Sequence, residues 1–305
     1  MKTRKIFLFL LLAFTLSWAI AGLIYFLDLK TNQILVSVLL ILYMYMPALS
    51  VLIVQKFIYK EPMIRPLKIS FNINIFFFWA LFLPFLITFV AAAIGLLFPD
   101  VTFQPDMKDF METLRESSTP QQMERIQNQM NALPVHPIWV TVVSGFIAAA
   151  TINALAAFGE ELGWRGFLLS EFREKNFFQA SLIIGIIWGL WHAPIILMGH
   201  NYSMHPQWGV LFMTLFCILY TFLFIYITLR ARSVIAASLM HGAVNAFAGI
   251  PLMISSRSSD LLIGNTGLAG FITLLLAIGL LFIYDRWIGR QRIMTGKIGA
   301  AMDAR

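Results

Sequence analysis

The sequence predicts an all-α protein, a polytopic transmembrane helical bundle of about eight spans with both termini cytoplasmic. Three observations carry this. Of its 305 residues, 59% are hydrophobic and only 12% are charged, roughly half the charge share of a soluble globular domain. The apolar residues gather into blocks of about 20 or more, the length a helix needs to cross hydrocarbon. Backbone groups in lipid must be bonded within their own segment, and no two-residue alternation suggests a barrel, so the blocks are helices.

The blocks run over 6–27, 34–57, 73–98, 138–158, 178–198, 208–229, 234–254 and 267–288. Orientation follows from charge. Lys2, Arg4 and Lys5 precede the first block, and Lys56, Lys60, Arg65 and Lys68 follow the second. Arg173 and Lys175 follow the fourth, Arg230 and Arg232 the sixth, and Arg286, Arg290, Arg292 and Lys297 the eighth. The other connections hold Lys30, an acidic stretch at 99–137, and Arg257 beside Asp260. Basic residues thus fall on every second side, the positive-inside pattern. The net charge of +7 reflects topology and contact with anionic lipid, and no nucleic-acid partner is expected.

Lys2–Lys5, an apolar core and Ala19-Ile20-Ala21 imitate a cleavable signal peptide. The apolar run continues to Leu27, so an uncleaved first span is the preferred reading. The single cysteine, Cys217, falls within the sixth block and reads as a small buried hydrophobe. The long connection 99–137 is expected to be extracytoplasmic. Within it, Met107–Arg115 and Gln121–Leu133 have helical spacing of apolar residues, fitting either amphipathic helices or a partly ordered acidic loop. The tail after Gly289 is short and polar, with no role assigned beyond anchoring. No internal repeat supports a transporter built from two halves.

In such a chain the informative residues are polar ones inside apolar stretches, because each is costly unless paired or functional. Three clusters stand out: Glu160, Glu161 and Arg165; His192, preceded by Trp188 and followed by Pro194; and His241 with Asn245. At ~1.5 Å per residue from the nearest basic flank, they lie roughly 20, 25 and 13 Å deep, so all three can meet. The segment through Leu169 is then a bent helix or two short ones. Glu161 and Arg165 are spaced for an intrahelical ion pair. Glu160 is left without a local cation, in surroundings that suit a general base. The bland alternative makes both glutamates partners of Arg165. His241 and Asn245 share one helix face. They can bind a metal, donate to a developing oxyanion, or simply bond helix to helix. Pro194 removes a backbone donor and favours a bend just after His192.

Other residues take plainer readings. Gly185 and Gly189 mark close helix packing. Trp164, Trp188 and Trp191 read first as core. His136, His200 and His205 read as solvated or interfacial.

In these motifs the chain resembles the CAAX prenyl proteases and bacteriocin-processing enzymes, the CPBP or Abi family. Two glutamates, three variable residues and an arginine are matched by Glu160, Glu161 and Arg165. An aromatic residue four before a histidine is matched by Trp188 and His192, where phenylalanine is more usual. A histidine and asparagine four apart are His241 and Asn245. The resemblance covers about 138–250, which it makes the catalytic core of a single membrane domain spanning 1–305. It implies an intramembrane endopeptidase acting on membrane-associated peptides or proteins. Glu160 would activate water with His192, His241 and Asn245 would stabilise the oxyanion, and Glu161 and Arg165 would hold the motif in shape. Family members are often labelled metalloproteases; if zinc is present, Glu160, His192 and His241 would hold it. The residues favour a metal-free reaction, since Asn is a poor zinc ligand and catalytic zinc usually has three protein ligands of other types. Two other classes remain: a proton-coupled transporter using the same Glu and His residues, and a non-proteolytic immunity or scaffold protein on the same fold.

Overall fold

A computed structural model describes residues 2–29 and 32–303, leaving Lys30 outside the described residues. The protein is a multi-pass membrane bundle built from α-helices. Among the described residues, six helices are long and apolar enough to cross a bilayer: α1 (Thr3–Phe26), α2 (Gln33–Ile58), α3 (Ile75–Gly95), α10 (Pro206–Ala231), the stretch Val234–Ile254, and α13 (Leu268–Ile288). Between α3 and the next spans lie α4 (Lys108–Ser117) and α5 (Pro120–Asn131). The connection 99–137 thus contains the two helices that its spacing allowed. Thr119 and Gln122 form a reciprocal cap at the start of α5, which satisfies two of its orphan donors.

Three of the expected spans are not continuous. The block 138–158 is divided into α6 (Pro137–Ala150) and α7 (Ile152–Glu171), bent by 47°. The break is Thr151, whose backbone (φ −122°, ψ −101°) lies outside the helical region. The helix then continues well past residue 158, carrying Glu160, Glu161 and Arg165 within it. The block 178–198 is α8 (Phe177–Trp191) followed by the short α9 (Ala193–Leu197). They part at His192, two residues before Pro194, which has no N–H to continue the ladder. The stretch Val234–Ile254 likewise comprises α11 (Val234–Phe247) and α12 (Ile250–Ile254).

Close backbone approach holds the broken helices in place. A Cβ on Gly185 would stand 2.5 Å from Ile218 Cα, and one on Gly189 2.4 Å from Thr214 Cα. Only glycine therefore allows α8 to lie this near α10. Gly159 does the same for α7 against the backbone of Met44 on α2.

The basic connections gather at one end of the bundle. Lys5 bonds Glu61 and Glu171, Ser233 bonds the Ser70 carbonyl, and Arg173 pairs with Asp303. At the opposite end, Arg257 bonds Asp109 and Glu116 of α4, and Asp260 holds Met204 and His205. The described ends of the chain therefore share one end of the bundle. Reporter fusions after Met198 and after the C-terminus are expected to report opposite sides of the membrane, the second cytoplasmic. Signals from one side for both would overturn this topology.

Candidate active site

The three polar clusters meet inside the bundle. Glu160, Glu161 and Arg165 project from α7 and are all but fully buried. Arg165 Nη1 donates to Glu161 Oε1 at 3.0 Å, and its Nη2 donates to Thr221 Oγ1 of α10 at 3.0 Å. Its guanidinium plane lies 4.3 Å from the Trp188 ring and 4.2 Å from the Phe224 ring. Stacking between two aromatic faces replaces the water that a buried guanidinium gives up.

Glu161 has a second task that spacing does not reveal. Its Oε1 lies 2.8 Å from His241 Nδ1. A carboxylate only accepts, so this ring nitrogen carries a hydrogen and donates. Glu161 thus joins Arg165 of its own helix to His241 of α11, and His241 Nε2 is left for other partners. Glu161 Oε2 is buried with no protein hydrogen bond.

Glu160 is held differently. The Trp188 indole N–H donates to Glu160 Oε2 at 2.7 Å. The backbone carbonyl of the same Trp188 accepts from His192 Nδ1 at 2.8 Å. One residue therefore fixes both Glu160 and His192, and leaves Glu160 Oε1 and His192 Nε2 unengaged by it. The Trp188 ring also meets His192 and His241 edge to face, with centroids 5.7 and 5.5 Å apart. The Trp188 side chain is core, as its type suggests, but it is also a hydrogen-bond donor that phenylalanine could not replace.

The break after α8 is held by α1 and α2. The Trp191 carbonyl accepts from Tyr43 OH at 2.5 Å and from Trp18 Nε1 at 3.0 Å. Trp191 Nε1 in turn donates to Ser17 Oγ at 2.8 Å. Ser17, Trp18, Tyr43, Thr221 and Phe224 carry no signal in the sequence, being ordinary residues of apolar helices. The bend at Thr151 is secured by Asn153, whose amide donates to the Gly242 carbonyl at 3.3 Å. Cys217 is buried, its Sγ 4.0 Å from His192 Nδ1.

Asn245 stands apart from this network. It lies one turn beyond His241 on α11, is exposed, and makes no side-chain hydrogen bond among the described residues. His136 caps α6, and His205 pairs with Asp260, both away from the cluster.

A zinc site would need Glu160, His192 and His241 drawn together. Among the described residues, no group of three or more His, Cys, Asp or Glu side chains is arranged to hold a metal ion. One Glu160 oxygen is already bonded to Trp188. The donor set as placed does not fit a three-ligand zinc centre.

Residues 131–247 match the family described as Rce1-like, type II CAAX prenyl endopeptidase. All three motifs fall within that match. A CAAX prenyl protease 2 of Methanococcus maripaludis is 39% identical over 59 residues, covering 19% of this chain and 22% of that relative. The match therefore spans less than a quarter of the relative's own length.

Because Arg165 is buried, Glu161→Gln is expected to leave it uncompensated and to destabilise the protein by about 3 kcal/mol or more. Thermal unfolding in detergent would measure it. Adding Arg165→Met to that variant should recover part of the loss, since it removes the stranded charge. Unchanged stability in the single variant would refute the structural weight given to the pair.

Proposed function

We propose that this protein, whose residues 131–247 match the Rce1-like type II CAAX prenyl endopeptidases, hydrolyses peptide bonds within the membrane, using Glu160 as the base. The observation that carries this is the double use of Trp188, which holds Glu160 through its indole and His192 through its carbonyl. A water between Glu160 Oε1 and His192 Nε2 would have both a proton acceptor and an orienting partner. As the water oxygen attacks the scissile carbonyl carbon, its proton passes to Glu160. The carbonyl π pair moves onto oxygen and forms the tetrahedral oxyanion. Collapse expels the amine, which takes the proton back from Glu160.

The oxyanion falls to α11. His241 donates through Nδ1 to Glu161, so donation from Nε2 requires a proton on both ring nitrogens. Asn245, exposed and unbonded on the same face, supplies an amide N–H free to meet substrate. Glu161 and Arg165 position His241 and take no direct part. The substrate class is a peptide carried at or in the membrane. The family description and the relative's name both point first to a prenylated CAAX peptide.

Purified protein in liposomes, offered membrane-anchored peptides that include a prenylated CAAX sequence, tests the reading. Wild type should cleave, Glu160→Gln should not, and cleavage should survive exhaustive chelation. Undiminished cleavage by Glu160→Gln would sink the assignment. Activity that tracks stoichiometric zinc through removal and readdition would replace it with a metal mechanism.

Trp188→Phe separates the two uses of that residue. It keeps an aromatic ring and the carbonyl that holds His192, but loses the N–H on Glu160. A hydrogen bond to a charged group contributes ~1.5–3 kcal/mol, so kcat should fall roughly 10- to 150-fold with KM little changed. A variant with full kcat would show that the indole bond plays no part in placing the base.

A further inference from the structure

The polar tail does more than follow the last span. Both oxygens of buried Asp285 accept backbone N–H groups of the tail, from Ile293 at 3.2 Å and Met294 at 3.0 Å. The tail then runs beside the connection between α7 and α8. Phe177 N–H donates to the Gly296 carbonyl, Ile298 N–H to that of Lys175, and Gly299 N–H to that of Arg173, at 2.8–3.0 Å. A final short helix, α14 (Ile298–Asp303), closes the arrangement.

Between this tail and the end of α10 lies a cavity of about 170 Å³, several times the ~30 Å³ taken up by one water. Arg230, Arg232, Arg292 and Lys297 line it together with Gln291, and no carboxylate does. Arg230 is fixed by stacking 4.3 Å from the Phe76 ring and by a 3.0 Å bond to Tyr226 OH. Arg232 and Arg292 have no ion-pair partner among the described residues, and the exposed Lys297 only approaches Glu174 at 3.5 Å. Lys68 stands close by, its ammonium held below the usual lysine range first by burial, then by Arg232 and Arg173. Cations are thus crowded here without enough acid to balance them.

We propose that this cavity binds a phosphate group at the membrane boundary, presented by the headgroup of an anionic lipid or by phosphate from solution. Arginine forks match phosphate oxygens in pairs. A basic recess at the end of membrane helices is where anionic headgroups are held. The headgroup is the favoured source, because Trp287 and Ile288, at the end of α13 just before the tail, are 63% and 71% exposed. Gly289, the residue that follows them, lies beside the Arg230 guanidinium, which puts their apolar surface where acyl chains would accompany the phosphate. The site is separate from the polar cluster around Trp188 and does not depend on the proteolytic reading.

The test uses the full chain in nanodiscs of phosphatidylcholine, of phosphatidylcholine with phosphatidylglycerol, and of phosphatidylcholine with added inorganic phosphate. Unfolding temperature and lipid retained in native mass spectrometry are the readouts. The wild type should be raised in Tm by phosphatidylglycerol and retain it. Arg232→Gln with Arg292→Gln should weaken retention about 25-fold, at roughly fivefold per basic residue. Lys56→Gln with Arg65→Gln, exposed basic residues elsewhere, should leave it unchanged. A rise with inorganic phosphate alone, lost in the same paired variant, would support the site and name the free anion as its source. If the paired variant does not fold, Arg292→Gln alone should still show the fivefold loss. No rise in either medium, the same rise in the cavity variant, or an equal loss in the Lys56/Arg65 control would overturn the proposal.

Discussion

A guanidinium enclosed by apolar helices must find every partner within the protein, and Arg165 is in that position. Removing such a charge from water costs several kcal/mol, recovered only through good geometry with many partners. The partners come from three helices. Glu161 answers it from α7, Trp188 from α8, and Thr221 and Phe224 from α10. Glu161 carries the demand on to α11 through His241. Displacing any of these helices would strand the charge, so Arg165 acts as a register pin for the elements that carry the polar cluster. Such a pair adds little net stability over an apolar substitute, but a packing that removes one partner leaves a buried charge uncompensated. That trade suits a site whose groups must be held within fractions of an ångström.

The same groups depend on helices that stop partway through the bundle. Broken backbone in an apolar setting leaves carbonyls and amides that lipid cannot satisfy. Where α8 ends, neighbouring helices meet that need: Tyr43 and Trp18 bond the Trp191 carbonyl. Beside the bend at Thr151, the Asn153 side chain ties α7 to the Gly242 carbonyl of α11. A straight span would have buried His192 in a continuous ladder. The break instead makes it the cap of α8, its ring turned back onto the Trp188 carbonyl.

How much of this was legible in the sequence depended on whether a signal was local. The four-residue spacing of Glu161 and Arg165 gives their ion pair, and depth counted from the basic flanks brings the three clusters together. Pro194 marks the end of α8, because a missing N–H is a local fact. Thr151 offers no such mark, having neither the ring of proline nor the freedom of glycine, so a bend in the segment through Leu169 was expected but its position was not. The contact between Glu161 and His241 links residues 80 apart, beyond the reach of any helical period. Thr221 was unreadable for the same reason, since a threonine in an apolar helix usually bonds its own backbone, as this one also does to the Cys217 carbonyl. Trp188 is the instructive case. Seen only as an aromatic wall it is interchangeable with phenylalanine, and only its placement against Glu160 gives its N–H a meaning.

The family match over residues 131–247 does not mark out a self-sufficient unit. Its α7 is clamped at one end by Lys5, which bridges Glu61 and Glu171. It is packed through Gly159 against α2. The connection from α7 to α8 is paired along its backbone with the tail from Gly296 to Gly299. The carbonyl that ends α8 is bonded by α1 and α2. Every contact in that series lies outside the motifs, yet each restrains an element that carries one. The motif residues supply the polar groups, and the flanking helices and tail supply the stiffness that keeps broken helices from relaxing. The physical unit is therefore larger than the matched segment. A short polar tail, unremarkable as sequence, belongs to it because its backbone hydrogen bonds close on the connection that spaces Glu160 from His192.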